Sequence, residues 1–181
     1  IDAINDYETS ATHSFSVPAV TLSKTVLPPA VTPAIGGHHN FQIEIRLPEG
    51  ETGGLVVTDN LNAAGVSYFL ADNSDFDITY EFEHINSIGG NTPADWVASV
   101  ASKDNASGAT TWTFGTVVTA SENDLAASAV SPVIRINYFA RANNDTLTDA
   151  GHTLRNQVAT DYSHGETGAT QTLTATTPAT T

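Results

Sequence analysis

The sequence predicts an all-β fold, an antiparallel β-sandwich of about eight or nine strands. Three observations carry that expectation. Apolar and polar residues alternate strictly along several short stretches, so that one face of each is apolar and the other is not. Clusters of Gly, Asn, Asp and Pro recur between those stretches and read as turns. Thr, Val and Ala abound while the aromatic residues are spread singly, a composition suited to pleated, half-buried surfaces.

Residues 20–27 open the fold, with Val20, Leu22, Lys24 and Val26 on one face against Thr21, Ser23 and Thr25. In 39–47, Phe41, Ile43, Ile45 and Leu47 oppose Gln42, Glu44 and Arg46. In 54–61, Leu55, Val57, Asp59 and Leu61 share a face. In 76–83, Phe76, Ile78, Tyr80 and Phe82 alternate with Asp77, Thr79, Glu81 and Glu83. Residues 111–118 set Trp112 and Phe114 two apart, which points both at the core. In 133–141, Ile134, Ile136, Tyr138 and Ala140 oppose Arg135, Asn137, Phe139 and Arg141. In 152–162, Leu154, Asn156, Val158, Thr160 and Tyr162 share a face, and 167–176 is expected to add a final strand. Only 94–101 and 122–129 have the pattern for a short helix.

Composition narrows the function classes. The chain has 181 residues, and a domain of that order buries roughly 70% of the surface its unfolded chain exposes, enough for a core without staples. It carries 20 acidic residues against 6 basic, a formal charge of −14. Nucleic acid and anionic lipid both require a basic footprint, so neither is expected as a partner. The absence of Cys removes disulfides, thiolate metal sites and cysteine nucleophiles together. No apolar run approaches the roughly 20 residues of a membrane-spanning helix, so no membrane insertion is expected in this segment. There is no signal-peptide pattern, and the first residue is Ile1, as expected of a piece of something longer. No P-loop, dinucleotide fingerprint, zinc-helix motif or serine-nucleophile elbow occurs, so the chain is not expected to be an enzyme.

An internal repeat suggests the organisation. Glu8-Thr9-Ser10-Ala11-Thr12 matches Glu166-Thr167-Gly168-Ala169-Thr170 at an offset of 158 residues (Glu8 to Glu166), and alternating Thr/Ser and apolar residues then run to a Pro in both. On this reading residues 1–18 are the closing strand of a preceding unit, 19–176 form the sandwich, and 177–181 are a Thr/Pro-rich linker. A chance match between Thr- and Ala-rich stretches is the bland alternative. Another is that 1–18 is an arm that pairs with a neighbouring subunit's sheet edge.

Several stretches in order carry a family likeness: LSKTVLP (22–28), LVVTDNLNAAGVSY (55–68), TWTFGTV (111–117), INYFARA (136–142) and AGHTLRNQVAT (150–160). This order resembles the bacterial and archaeal cell-surface conserved repeat domain family, and the related fimbrial domains that form intramolecular isopeptide bonds. The resemblance covers about residues 20–176. It implies an immunoglobulin-like sandwich strung in arrays on surface adhesins, stalks or fimbriae, outside the cell and without enzymatic turnover. Gly36-Gly37-His38-His39 and the long segment 83–110 depart from that pattern.

Strand parity singles out Lys24, Asp59 and Asn156, each interrupting an apolar face. An inward charge needs a partner, because an isolated buried ion is very costly. One reading is a buried Lys24–Asp59 ion pair, with Asn156 satisfying the remaining donors. Another is a covalent Lys24–Asn156 isopeptide bond, and a third has Lys24 facing outward. Burial lowers a lysine pKa and raises an aspartate pKa, giving a neutral amine nucleophile and a carboxylic acid. Asp59 would then polarise the Asn156 carboxamide and shuttle protons as ammonia leaves, once and without turnover. In the isopeptide-forming relatives these roles fall on a Lys in the first strand, an acid in the body and an Asn in the last strand, an order that Lys24, Asp59 and Asn156 match.

The remaining candidates are weaker. Asp72, Asn73, Asp75 and Asp77 crowd one loop with oxygen ligands of the kind calcium takes, although the same residues are ordinary turn formers. Calcium is the only cofactor the sequence leaves open. His38 and His39 fall on opposite faces of a strand, which makes joint metal ligation awkward. The expected function is a structural repeat unit of an extracellular surface protein, a mechanical spacer in an adhesin stalk, fimbria or fibre, whose partners are neighbouring copies of itself. Two rivals stay open: a fibre subunit joined by strand donation from residues 1–18, and a calcium- or glycan-binding module.

Overall fold

A computed structural model describes residues 19–28, 37–61, 68–70, 78–99, 109–120, 131–142, 156–163 and 168–177. They form ten strands and one helix. The elements are β1 (Thr21–Val26), β2 (His38–Arg46), β3 (Glu51–Asn60), β4 (Tyr68–Leu70), β5 (Thr79–Glu83), β6 (Ile85–Ile88), α1 (Pro93–Ser99), β7 (Ala109–Thr119), β8 (Val133–Ala142), β9 (Gln157–Ser163) and β10 (Thr170–Thr176). One sheet runs β1-β2-β8, and the free side of β8 is shared by β5 along its first half and β4 along its second. The other runs β10-β9-β3-β7-β6. Every pairing among these strands is antiparallel.

The core lies between the two sheets, and the alternation written in the sequence fills it. Phe41, Ile43 and Ile45 from β2 and Ile134, Ile136, Tyr138 and Ala140 from β8 point inward from one sheet. Leu55 and Val57 from β3, Trp112 and Phe114 from β7 and Val158 and Tyr162 from β9 point inward from the other. Each fully buried side chain of this size removes enough apolar area to favour folding by roughly 1.5–3 kcal/mol. The outer faces of β2, β5 and β8 carry Glu44, Arg46, Glu81, Glu83 and Arg135, joined by ion pairs.

Where the pleat is broken, simple parity fails. The β3–β7 register shifts around Leu55, which lies opposite Gly115. Gly54 and Gly115 both take positive φ, 58° and 73°, a conformation glycine adopts without a Cβ penalty. Across this bulge the inward positions of β7 move from Trp112 and Phe114 to Val117 and Thr119. Two strands were not expected, β4 and β6. They are three and four residues long, too short to display a period of two.

The helix expected over 94–101 is found at Pro93–Ser99, and its start is encoded locally. Thr92 caps it, its hydroxyl oxygen accepting from the Asp95 backbone N–H at 3.2 Å, and Pro93 occupies the first helical position, where no N–H is needed. Trp96 is buried. It stacks on Phe114 with centroids 4.5 Å apart and receives Tyr80 and Phe82 edge-on at 5.3 and 5.9 Å. Segment 83–110 therefore contributes to the core through this ring. Of the stretch 152–162, residues 152–155 lie outside the described residues and β9 begins at Gln157; β10 follows it, so Asn156 stands at the head of the last but one of the described strands. Residues 1–18, the helix option at 122–129 and the 72–77 loop lie outside the described residues.

Candidate functional site

Four inward side chains meet at one place between the sheets, two from each. In β1, Lys24 sits opposite Ile43 of β2, and the parity that half-buries Leu22 and Val26 turns Lys24 inward. In β8, Tyr138 sits opposite Phe41 of β2. Across the interior, Asp59 lies near the end of β3, between Thr110 of β7 and Val158 of β9. Asn156, two residues before Val158, shares its inward direction. The side chains of Lys24 and Asp59 are both 0% exposed, and Asn156 and Tyr138 are equally closed to solvent.

The connections between them are specific. Lys24 Nζ donates to Asp59 Oδ1 in a buried ion pair. The Tyr138 hydroxyl donates to the other carboxylate oxygen, Oδ2. Asn156 Nδ2 donates to the Tyr138 hydroxyl oxygen at 3.1 Å. Asn156 Oδ1 is buried and accepts no hydrogen bond among the described residues, so this amide oxygen does not serve the remaining Lys24 donors. The ammonium lies against two rings, 5.4 Å from the Phe41 centroid and 5.5 Å from that of Tyr138. Those rings stack on each other at 5.6 Å, and Trp112 backs Tyr138 at 5.9 Å. The Asn156 backbone is clamped from outside: its N–H donates to Thr177 Oγ1 at 3.0 Å, and the Thr177 N–H donates to its carbonyl at 2.9 Å. Thr177, the first residue of the expected linker, is itself buried.

Burial dominates the electrostatics. Desolvation pulls the Lys24 ammonium down to about 8, against the stabilising charge and hydrogen bond of Asp59. Desolvation also pushes the Asp59 carboxyl up, against Lys24, Tyr138 and Asn156, which all favour its charged form. Both shifts favour moving one proton from lysine to aspartate, which leaves an amine beside a carboxylic acid. A neutral amine is a nucleophile, and a carboxylic acid is a proton donor.

Tyr138 escaped sequence reasoning as a member of this group, because its ring fits an apolar face. Its signal was the hydroxyl, which needs a partner wherever it is buried. The other candidates stand apart. His39 is buried and stacks near Phe41 at 6.4 Å, while His38 points to the opposite, half-exposed face. Among the described residues there is no group of three or more His, Asp or Glu that could hold a metal. Asp72, Asn73, Asp75 and Asp77 lie outside the described residues, so the calcium reading has no structural account.

These features define an all-β sandwich with a closed amine–acid–amide site spanning its two sheets. No family model matches the chain, and no curated protein matches it. Among solved structures it is similar to the major pilin subunit BcpA of Bacillus cereus, at 15% identity and a TM-score of 0.48 over 87% of this chain. It is similar to the full-length major pilin SpaD of Corynebacterium diphtheriae, at 11% identity and a TM-score of 0.43 over 88%. The chain spans 38% and 34% of those two pilins. It is also similar to BslA, a bacterial hydrophobin, at 8% identity and a TM-score of 0.40, covering 92% of this chain and 97% of that one.

Proposed function

We propose that this domain is a structural unit of an extracellular surface fibre or stalk, a mechanical spacer that contacts neighbouring copies of itself, and that it locks itself with a Lys24–Asn156 isopeptide bond formed with the help of Asp59. The observation that carries this reading is the sealed cluster in which the Lys24–Asp59 pair lies against Asn156, whose carboxamide oxygen has no hydrogen-bond partner among the described residues. A purely structural ion pair gains most when its remaining polar groups are satisfied, and this one leaves the electrophilic amide exposed to the pair. Attack of the neutral Lys24 amine on Asn156 Cγ joins Nζ to Cγ and expels the amide nitrogen as ammonia. The reaction occurs once per chain, so the protein is not an enzyme in the turnover sense.

The bond would join the edge strand β1 of one sheet to the head of β9 in the other. It would close a loop on the order of 130 residues, and by analogy with a disulfide loop of that size it would stabilise the fold by roughly 4–5 kcal/mol. Such a tie suits a cysteine-free chain that bears load outside a cell. Intact mass under denaturing conditions tests it. The chain should be lighter than its sequence by one ammonia, and Lys24→Ala or Asn156→Ala should restore the full mass; an unaltered mass leaves only a buried polar cluster. Among the described residues no helix is long and apolar enough to cross a membrane.

A further inference from the structure

We propose that Tyr138 is a catalytic residue of this crosslinking reaction, relaying a proton from Asp59 to the amide nitrogen that departs from Asn156. The inference rests on the isopeptide reading and adds to it a part for the leaving group. Its basis is the division of labour between the two oxygens of Asp59. Oδ1 faces the nucleophile, Lys24 Nζ, and Oδ2 faces Tyr138. The Tyr138 hydroxyl in turn touches the reacting nitrogen, Asn156 Nδ2, at 3.1 Å. An unbroken chain of contacts thus runs from the amine that must lose a proton, through the carboxyl and the phenol, to the nitrogen that must gain one. All four side chains are buried, so the phenol is the donor that these contacts bring to that nitrogen.

The step balances. With Asp59 protonated at Oδ2 and Lys24 neutral, Nζ adds to Asn156 Cγ, and the carbonyl electron pair moves onto Oδ1 of Asn156. In the tetrahedral adduct the former amide nitrogen is an amine with a free lone pair, so it changes from hydrogen-bond donor to acceptor. The Tyr138 O–H turns toward it and gives up its proton, while Asp59 Oδ2 returns a proton to the phenol oxygen. Asp59 Oδ1 takes the surplus proton from the attacking nitrogen. The Cγ–Nδ2 bond breaks, ammonia leaves, and the carbonyl re-forms as part of the new amide. Tyr138 ends as a phenol and Asp59 as a carboxylic acid, so one proton has passed from attacking to leaving nitrogen. The Tyr138 ring, stacked on Phe41 and backed by the tilted ring of Trp112, holds the hydroxyl on this line.

The test follows crosslinking in time, using the full chain made by cell-free synthesis and sampled by intact mass under denaturing conditions. Tyr138→Phe keeps the ring and removes the hydroxyl. It should lose ammonia about 100-fold more slowly than the parent chain, the lower range for a positioned proton donor, while its circular dichroism stays that of the folded domain. In case that variant does not fold, 3-fluorotyrosine placed at 138 by codon suppression acidifies the phenol with almost no change of size. Its crosslinking rate should differ several-fold from that of tyrosine. Ammonia loss at the parental rate in a folded Tyr138→Phe chain, or an unchanged rate with 3-fluorotyrosine, overturns the relay and leaves the crosslink standing. If the parent chain never loses ammonia, the crosslink and the relay fall together.

Discussion

Among the described residues two groups of opposite charges stand in very different surroundings. One is Lys24 with Asp59, sealed between the sheets; the other is Arg135 with Glu44, Glu81 and Glu83, spread over the outer face of β2, β5 and β8. On the outside, water remains beside every group. The hydrogen bonds that Arg135 donates to Glu83 and Glu44 raise its pKa further; desolvation is the largest single effect on the Glu44 carboxyl, yet Arg135 and Arg46 together hold it below the usual value. Each charge there is reinforced by its neighbours. Inside, desolvation outweighs the same kind of attraction and drives both partners toward neutrality. An exposed ion pair is therefore held charged, whereas a sealed one is pushed toward an acid beside a base. The proposed chemistry would draw on the second.

Asp59→Ala should break this contrast most severely. It leaves a lysine buried with no carboxylate and removes the proton shuttle, so it should cost about 3–5 kcal/mol from the stranded charge alone and abolish ammonia loss. Urea unfolding and intact mass check the two effects. The double variant Lys24→Met/Asp59→Leu should recover most of the stability without recovering the crosslink. Next in size is Asn156→Ala, which keeps the ion pair but cannot form the bond; relative to the crosslinked parent it should lose roughly 4–5 kcal/mol. A unchanged denaturation midpoint would show that no covalent tie contributes.

A pH series sharpens the comparison. Lys24 falls from 10.5 in the unfolded chain to about 8 when folded. Between those values the unfolded chain holds a proton that the folded chain lacks, so stability must rise with pH across that window and level off above it. Asp59 has the opposite effect in a lower window. Its raised pKa means that the folded chain keeps a proton the unfolded chain has lost above 3.8, so this group's contribution is greatest below 3.8 and declines as pH rises. The lysine effect is isolated by the difference between Asn156→Ala and Asn156→Ala/Lys24→Met. The lysine form should gain in urea midpoint relative to the methionine form from pH 8 to 10.5, and a constant difference would contradict the burial argument. The smallest effect belongs to the outer network. Arg135→Met should change stability by no more than about 1 kcal/mol, with a difference that shrinks as salt is added.

How much of this was legible in the sequence depended on whether the pleat ran unbroken. Along β1, β2, β8 and β9 it does, and counting by twos correctly turned Lys24, Asn156 and their apolar neighbours inward. Asp59 was read correctly too, because it lies beyond the bulge on the same regular stretch as Val57. The switch of face near Gly115 was not readable, since a period-two count has no means of registering an inserted residue. Tyr138 was missed for a different reason. Hydrophobic patterning treats it as a ring, and only the tertiary placement of Asp59 and Asn156 reveals what its oxygen is for. Trp96 likewise took its meaning from Phe114 and Tyr80, residues distant in sequence.

The placement of Thr177 beside Asn156 has a mechanical consequence. If residues 24 and 156 are welded as proposed, tension entering at Thr177 would bypass everything between them and fall first on the hairpin β9–β10. Its partners run from Thr176↔Gln157 to Thr170↔Ser163, so the rungs nearest the pulled end open one after another rather than all at once. Peeling this hairpin would pay out about 70 Å of slack before the weld itself is stretched. In a force–extension trace that slack would show as one early, low-force, reversible lengthening, followed by a wall. The domain would then behave as an inextensible link fitted with a short recoil spring.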